Sequence, residues 1–220
     1  MKFSQGGELE WHRSYPTMDY ADVGSIRELS DGTFVIVGTK VAPGGSGERG
    51  EFDIAVTRLS NGGSPIWTTY FATSRRDNGF DIVETPDGGI LATGISDSYG
   101  ELGFLLWLYR ASGRIEKQAV LDSNMYALQI DRAFGDGYVL LHRDQYSSKI
   151  VKVDLDGRVV SVHTATHFEN ATVAHFLPLD DGRIALVGAY RHTGMRIAML
   201  KAATSGVEET RYLPRILNLW

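Results

Sequence analysis

The sequence predicts an all-β fold built from a repeated four-stranded antiparallel unit, and three observations support this prediction. First, Asp-Gly pairs that stand between two apolar runs, the pattern of a tight β-hairpin, recur at Asp31, Asp87, Asp136 and Asp181. Second, a glycine that precedes an outer strand recurs at Gly7, Gly63, Gly113, Gly157 and Gly206. Third, the apolar runs are short and rich in Val, Ile, Phe, Tyr and Thr, which favours strands over helices.

The two markers follow the same degenerate period. The Asp-Gly pairs are spaced by 56, 49 and 45 residues, and the marker glycines by 56, 50, 44 and 49 residues. Each period holds four short apolar runs. In the first repeat these are GSIREL, TFVIVGTK, FDIAVTRLS and SPIWTTYFA, and in the second FDIVETP, GILATGIS, GFLLWLYRA and RIEKQAVL. The third repeat has YALQIDRA, YVLLHRD, SKIVKVDL and RVVSVHTAT, and the fourth has VAHFLPL, RIALVGAY, MRIAMLKA and VEETRYL.

The second strand of three repeats carries a glycine at the same offset past the turn, at Gly38, Gly94 and Gly188. A glycine inside a strand usually marks a β-bulge or a close approach of two backbones. In the third repeat His142 or Arg143 stands at this offset, so that repeat has diverged.

Repeats of about 40 to 50 residues, each forming four antiparallel strands, are typical of the blades of a β-propeller. The sequence therefore predicts a single β-propeller domain over residues 1–220, with a β-sandwich as the alternative. The predicted repeats span approximately residues 8–62, 63–112, 113–156 and 157–205. Residues 206–220 are predicted to hold a surplus strand and a tail.

The stretch DNGFDIVETPDGGILATGISDSYGELGFLLWLYRASGRI resembles a family of bacterial and archaeal propeller repeats. Their consensus runs D-x-x-x-S-I-x-x-T-x-D-G-G-Y-x-V-x-G, then an aromatic-rich W-L-x-K-L-D strand, then G-x-x-x-W. The first repeat matches through DVGSIRELSDGTFVIVG, FDIAVTRLSNGG and IW, and the third and fourth match more weakly. The resemblance implies blade structure and not a reaction. It also implies an exported or cell-surface location, which is common among such proteins.

Composition excludes several functional classes. A formal net charge of −5 argues against a nucleic-acid binder, which needs a clustered basic surface. The absence of cysteine excludes disulfides, thiolate catalysis and cysteine-ligated metals. No apolar run approaches the ~20 residues of a membrane span, and MKFSQGGELEW lacks the apolar segment of a leader. We therefore expect no membrane insertion, and either a cytoplasmic protein or an exported one whose leader has been removed.

The two ends of the sequence both predict outer-type strands, GELEWHRSY at the start and VEETRYL before the apolar tail PRILNLW. If the first strand completes the last blade, the C-terminal one is surplus. Because exposed strand edges favour association, we expect a closed four-blade ring or a symmetric homo-oligomer rather than a single open arc.

Polar residues recur at one place early in the innermost strand of each repeat, namely Ser25, Asp81, Gln129 and His175. If they face the channel mouth together, they form a polar ring that could hold water, a small ligand or a metal. His175 and Asp81 could then act as a general base and its orienting partner, or Asp81 could ligate Ca²⁺. The alternative is the ordinary polar lining of a water-filled channel. No cofactor is predicted beyond the possible Ca²⁺.

Loops on one face of the predicted propeller carry further candidates. Tyrosines in or beside these loops, whose rings could hold a sugar next to Asp or Asn, are Tyr20, Tyr99, Tyr126 and Tyr146. Arg76, Tyr99 or Arg191 could position an anionic substrate. By contrast, Trp11, Trp67 and Trp107 lie in predicted strands and are expected to pack between blades.

Three functions fit these residues. The preferred interpretation is a non-catalytic protein that binds a small molecule, glycan or protein partner across the loop face. The first alternative is a hydrolase or lyase with His175 and Asp81 at the channel mouth. The second alternative is a structural array of blades within a larger surface protein.

Overall fold

The computed structural model describes residues 1–15, 20–41, 52–97, 102–121, 127–143, 147–165, 171–190, 194–201 and 211–212. A two-stranded sheet pairs β1 (Lys2–Phe3) with β2 (Leu9–Trp11). Sheet 1 consists of β3 (Tyr20–Glu28), β4 (Phe34–Val41), β5 (Phe52–Leu59) and β6 (Pro65–Phe71). Sheet 2 consists of β7 (Asp77–Glu84), β8 (Ile90–Ser96), β9 (Leu102–Leu108) and β10 (Ile115–Val120).

Two further sheets follow in the same order. Sheet 3 consists of β11 (Ala127–Arg132), β12 (Tyr138–Arg143), β13 (Ser148–Val153) and β14 (Val159–Thr164). Sheet 4 consists of β15 (Ala171–Pro178), β16 (Arg183–Tyr190), β17 (Gly194–Lys201) and β18 (Arg211–Tyr212). The predicted fold class is confirmed: the fold is all-β, and each repeat forms one four-stranded antiparallel sheet of the kind that makes a propeller blade.

The chain divides into two compact units, Met1–Leu128 and Gln129–Trp220. The first contains sheets 1 and 2, whose facing side chains form one apolar core that includes Val37, Ile54 and Phe104. The second has a core from sheets 3 and 4 that includes Leu141, Val173 and Phe176. Among the described residues, no helix is long and apolar enough to span a membrane.

Tight turns join the first two strands of each sheet at the predicted Asp-Gly pairs. Gly32, Gly88 and Gly182 adopt φ values of 74°, 80° and 81°, which only glycine adopts without strain. The third turn is shifted by one residue, because the N–H of Ala133 donates to the carbonyl of Gly137 and Gly135 takes up a positive φ inside the turn. The third Asp-Gly pair therefore marks the turn but not the same position within it.

The recurring strand glycines lie opposite a β-bulge, as predicted. Gly38, Gly94 and Gly188 pair with Val23, Gly79 and Val173, directly before a register shift in the inner strand. A Cβ on Gly38 would collide with the carbonyl oxygen of Asp22, and one on Gly94 with that of Asn78. In sheet 3 the buried His142 stands at this offset.

The C-terminal region contributes to sheet 4. Residues 211–212, from the segment 206–220 that was expected to hold a surplus strand, form β18 and pair with β17 as the fourth strand. The other residues of that segment lie outside the described part of the chain.

Candidate functional site

The four recurring polar residues occupy equivalent places in the sheets. Ser25, Asp81 and His175 each follow the bulge of their inner strand directly. Gln129 stands four residues before Ala133, whose N–H closes the turn of sheet 3. Ser25 likewise stands four residues before Leu29, whose N–H closes the turn of sheet 1. The position found in the sequence is therefore a real structural position, defined by the bulge and the turn.

Asp81 is engaged in a contact between sheets 1 and 2. Its side chain is buried, and its Oδ2 lies 3.5 Å from Nη2 of Arg27 on β3. The equivalent residue of sheet 1, Ser25, is partly buried. The carboxylate of Asp81 thus has a structural partner in the neighbouring sheet.

Gln129 and His175 lie on the inner strands of sheets 3 and 4. The Nε2 of Gln129 donates to the carbonyl of Phe176 at 3.0 Å, and its Oε1 accepts from the N–H of Phe176 at 3.0 Å. The adjacent His175 side chain is exposed. Asp81 and His175 belong to different compact units, so their proposed catalytic partnership stays a prediction.

Two of the predicted ligand-binding residues on loops lie within the described ranges. Tyr20 shares a hydrogen bond of 2.9 Å with Thr57, and burial raises the pKa of its phenol to about 12. Arg76 is exposed, donates from Nε to Oδ1 of Asn78 at 3.2 Å, and stacks its guanidinium 5.4 Å from the ring centroid of Phe52. The others lie outside the described residues: Tyr99, Tyr126, Tyr146 and Arg191.

A polar cluster that the sequence did not reveal lies at the loop end of sheets 1 and 2. We use "loop end" for the end that carries the β4–β5, β6–β7 and β8–β9 connections, opposite the Asp-Gly turns. The residues of this loop-end cluster are Lys40, Phe52, Asp53, Arg76, Asp77 and Asn78. The three elements β4, β5 and β7 hold five of them, and Arg76 directly precedes β7.

Asp77 is fully buried and well satisfied. Its Oδ2 accepts from the backbone N–H of Thr73 at 2.6 Å, and its Oδ1 accepts from the Thr73 hydroxyl at 2.9 Å. Burial raises the pKa of Asp77, and hydrogen bonds from Ser96 and Thr73 oppose that rise. This carboxyl group is therefore anchored in the protein.

Asp53 differs from Asp77 in that it is buried without such support. Only 9% of its surface is exposed, and it forms no hydrogen bond within the described residues. Burial raises its pKa, the charge of Asp77 raises it further, and only Lys40 opposes this. A sequence signal did exist, since Asp53 interrupts an otherwise apolar run before Ile54, Ala55 and Val56.

The rest of the cluster supplies donors and ring faces. Asn78 accepts from Arg76 and, at 3.4 Å, from the Thr39 hydroxyl. The ammonium of Lys40 lies 4.6 Å from the ring centroid of Tyr70 and 3.4 Å from its hydroxyl. Within the described ranges, no three His, Asp or Glu side chains converge in a way that could hold a metal ion.

Comparison with known proteins identifies the fold only. No protein-family model matches the chain. No curated protein matches it significantly either. A "putative 6-phosphogluconolactonase" from Bacteroides uniformis superposes with a TM-score of 0.60 at 14% identity, over 94% of this chain and 61% of that one. A protein of unknown function from Dyadobacter fermentans gives 0.57 at 16% identity, over 86% of this chain and 63% of that one.

The chain thus spans less than two thirds of the length of either similar structure. At this level of identity the likeness concerns the course of the backbone and not the chemistry of a site. What these comparisons establish is that the chain has an all-β, propeller-like fold.

Proposed function

We propose that this protein binds a glycan at the loop-end cluster and that Asp53 is the principal acceptor. The observation that carries this proposal is the buried Asp53 carboxylate with no hydrogen bond within the described residues. A carboxylate accepts hydrogen bonds through both oxygens, so a sugar hydroxyl can donate to Asp53 in the bound state.

The surrounding groups suit a polyhydroxylated ligand. A sugar hydroxyl donates one hydrogen bond and accepts others, so it can bridge a carboxylate and a cation. Asp53 supplies the acceptor, and Lys40, the cation that acts on its pKa, supplies a donor on the same face of sheet 1. Tyr70, an exposed tyrosine whose ring the Lys40 ammonium contacts, adds a ring face beside this pair, and aromatic rings commonly contact the apolar faces of sugars.

Binding to a glycan array, followed by calorimetric titration of the best glycan, tests the proposal. Because a hydrogen bond to a charged group contributes about 1.5–3 kcal/mol, Asp53→Asn should weaken binding by at least ~10-fold. Glu116→Gln, the same change on the exposed face of β10, should bind like the parent protein. Equal affinity of Asp53→Asn and the parent, or no glycan bound by the parent, would overturn the proposal.

A further inference from the structure

Lys40 lies between a tyrosine and an aspartate in the strand register of sheet 1. It pairs with Tyr20 on β3 and with Asp53 on β5. Directly opposite residues of an antiparallel pair point to the same face of a sheet, and so do residues two apart on one strand. Because Tyr70 on β6 pairs with Ala55, two residues after Asp53, all five residues share one face of sheet 1.

The side chain of Lys40 crosses β5 to reach Tyr70. The strand order of sheet 1 is β3-β4-β5-β6, so β5 separates the two residues. The Lys40 ammonium nevertheless lies 4.6 Å from the ring centroid of Tyr70 and 3.4 Å from its hydroxyl. The methylene chain of Lys40 therefore passes over β5, where Asp53 and Ala55 are 9% and 0% exposed.

Tyr20 blocks another direction in which Lys40 could extend. A Cβ on Gly38 would lie 2.9 Å from Cδ1 of Tyr20, so the ring of Tyr20 covers the glycine two residues before Lys40. The Tyr20 hydroxyl shares a hydrogen bond of 2.9 Å with Thr57, whose hydroxyl shares another of 2.9 Å with Thr68. The space over Gly38 is thus filled by an anchored ring and is not available to Lys40.

Lys40 and Asp53 form no ion pair with each other in the described part of sheet 1, although they stand directly opposite. Burial and the charge of Asp77 raise the pKa of Asp53, and Lys40 opposes them through its charge alone, without a hydrogen bond. Tyr70 attracts the ammonium through its ring face and accepts a hydrogen bond through its hydroxyl oxygen. The position of the Lys40 ammonium is therefore set by Tyr70.

We propose that Tyr70 is a positioning residue that holds the ammonium of Lys40 across β5 and so keeps the Asp53 carboxylate open to a ligand. This role rests on the glycan site proposed at Asp53. Without Tyr70 the ammonium turns back to Asp53, because the two residues are opposite in the register and their charges attract. The resulting ion pair occupies carboxylate oxygens that a sugar hydroxyl would otherwise contact.

An NMR titration of the Asp53 carboxyl carbon in the glycan-free protein tests the proposal. In Tyr70→Leu the pKa of Asp53 should fall below that of the parent, because an adjacent ammonium favours the carboxylate. Tyr70→Phe keeps the ring and should lower this pKa less. The control is Tyr109→Leu, at a similarly exposed tyrosine whose ring centroid lies 4.5 Å from Cζ of Arg114, and it should leave the pKa of Asp53 unchanged.

The same titration with Lys40→Met separates a movement of the lysine from the loss of the ring. If the turned Lys40 ammonium lowers the pKa of Asp53, Tyr70→Leu should have no effect on this pKa once position 40 is Met. An Asp53 pKa that stays at the parent value in Tyr70→Leu would overturn the proposal. So would a fall of equal size in the presence and absence of Lys40.

Calorimetric titration with the glycan selected on the array separates this proposal from the proposed function. Tyr70→Leu should bind about 5-fold more weakly, as expected when a partly exposed ion pair must be broken, and the loss should be smaller in Lys40→Met. Equal losses in both backgrounds would make Tyr70 a direct ligand contact and overturn the positioning role. A parent protein that binds no glycan would overturn the proposed function, whereas a lowered Asp53 pKa in Tyr70→Leu would still support the hold of Tyr70 on Lys40.

Discussion

The indole of Trp67 covers Gly113 and donates a hydrogen bond from Nε1 to the carbonyl oxygen of Arg110 at 2.9 Å. The marker glycine of one repeat and the tryptophan of the preceding repeat therefore form one contact between sheets. A Cβ on Gly113 would lie 2.5 Å from the indole, and its φ of 69° also favours glycine. The repeated glycine is thus required by both the turn and the neighbouring sheet.

Gly113→Ala should destabilise the protein more than Gly7→Ala. Both positions have positive φ, which costs about 1 kcal/mol for alanine, but only Gly113 has a tryptophan in the way. We expect an additional loss of about 1–3 kcal/mol from the displaced indole. Urea unfolding measures this difference. Equal losses in the two variants would show that Trp67 does not hold the turn.

Asp53→Asn should stabilise the free protein near neutral pH. The folded pKa of Asp53 is raised, so the folded state binds the proton more tightly than the unfolded state does. The contribution of Asp53 to the free energy of unfolding is therefore fully present below its unfolded pKa, and it is lost as the pH rises through its folded pKa. Thermal melting should give a higher Tm for the variant at pH 7 and equal values near pH 3. A lower Tm at pH 7 would mean that the carboxylate is satisfied in the free protein.

Tyr20→Phe should remove a stability loss at alkaline pH. The folded pKa of Tyr20 is about 12, above its ordinary value of 10.0, so the parent protein loses stability as the pH rises from 10 through 12. Near pH 7 the variant should be less stable by about 0.5–1.5 kcal/mol, since it lacks the hydrogen bond to Thr57. Urea unfolding at pH 7 and 11.5 should show this gap narrowing. A gap that is constant across this range would contradict the burial of the phenol.

Much of the fold could be predicted because local residue types determine it. The Asp-Gly turns need glycine for positive φ, and Gly38 and Gly94 follow from backbone approach at a bulge. The third turn was predicted one residue away from its structural equivalent, because Gly135 supplies a second residue that tolerates positive φ. The spacing of the Asp-Gly pairs alone does not show which of two neighbouring glycines, Gly135 or Gly137, takes a given position in the turn.

The candidate site could be predicted only in part. The position shared by Ser25 and Asp81 emerged from the repeat, but the partner of Asp81, Arg27, comes from another sheet. The raised pKa of Asp53 depends on burial and on Asp77 of β7, with Lys40 of β4 opposing it, and these groups meet only in the folded protein; in the sequence Asp53 is one acid in an apolar run. Whether a carboxylate has a partner in a neighbouring sheet, as Asp81 has in Arg27, is decided by the fold and cannot be seen from the residue type.

Hydrogen–deuterium exchange with and without the glycan selected on the array tests the central claim most directly. If the ligand binds at the loop-end cluster, amides at the start of β5 and around residues 76–78 should be protected. Amides around Asp81 and His175 should exchange at the same rates in both samples. Protection confined to the strands that carry Asp81 and His175, with no change at Asp53 or Asp77, would contradict the claim and place the ligand at the polar ring.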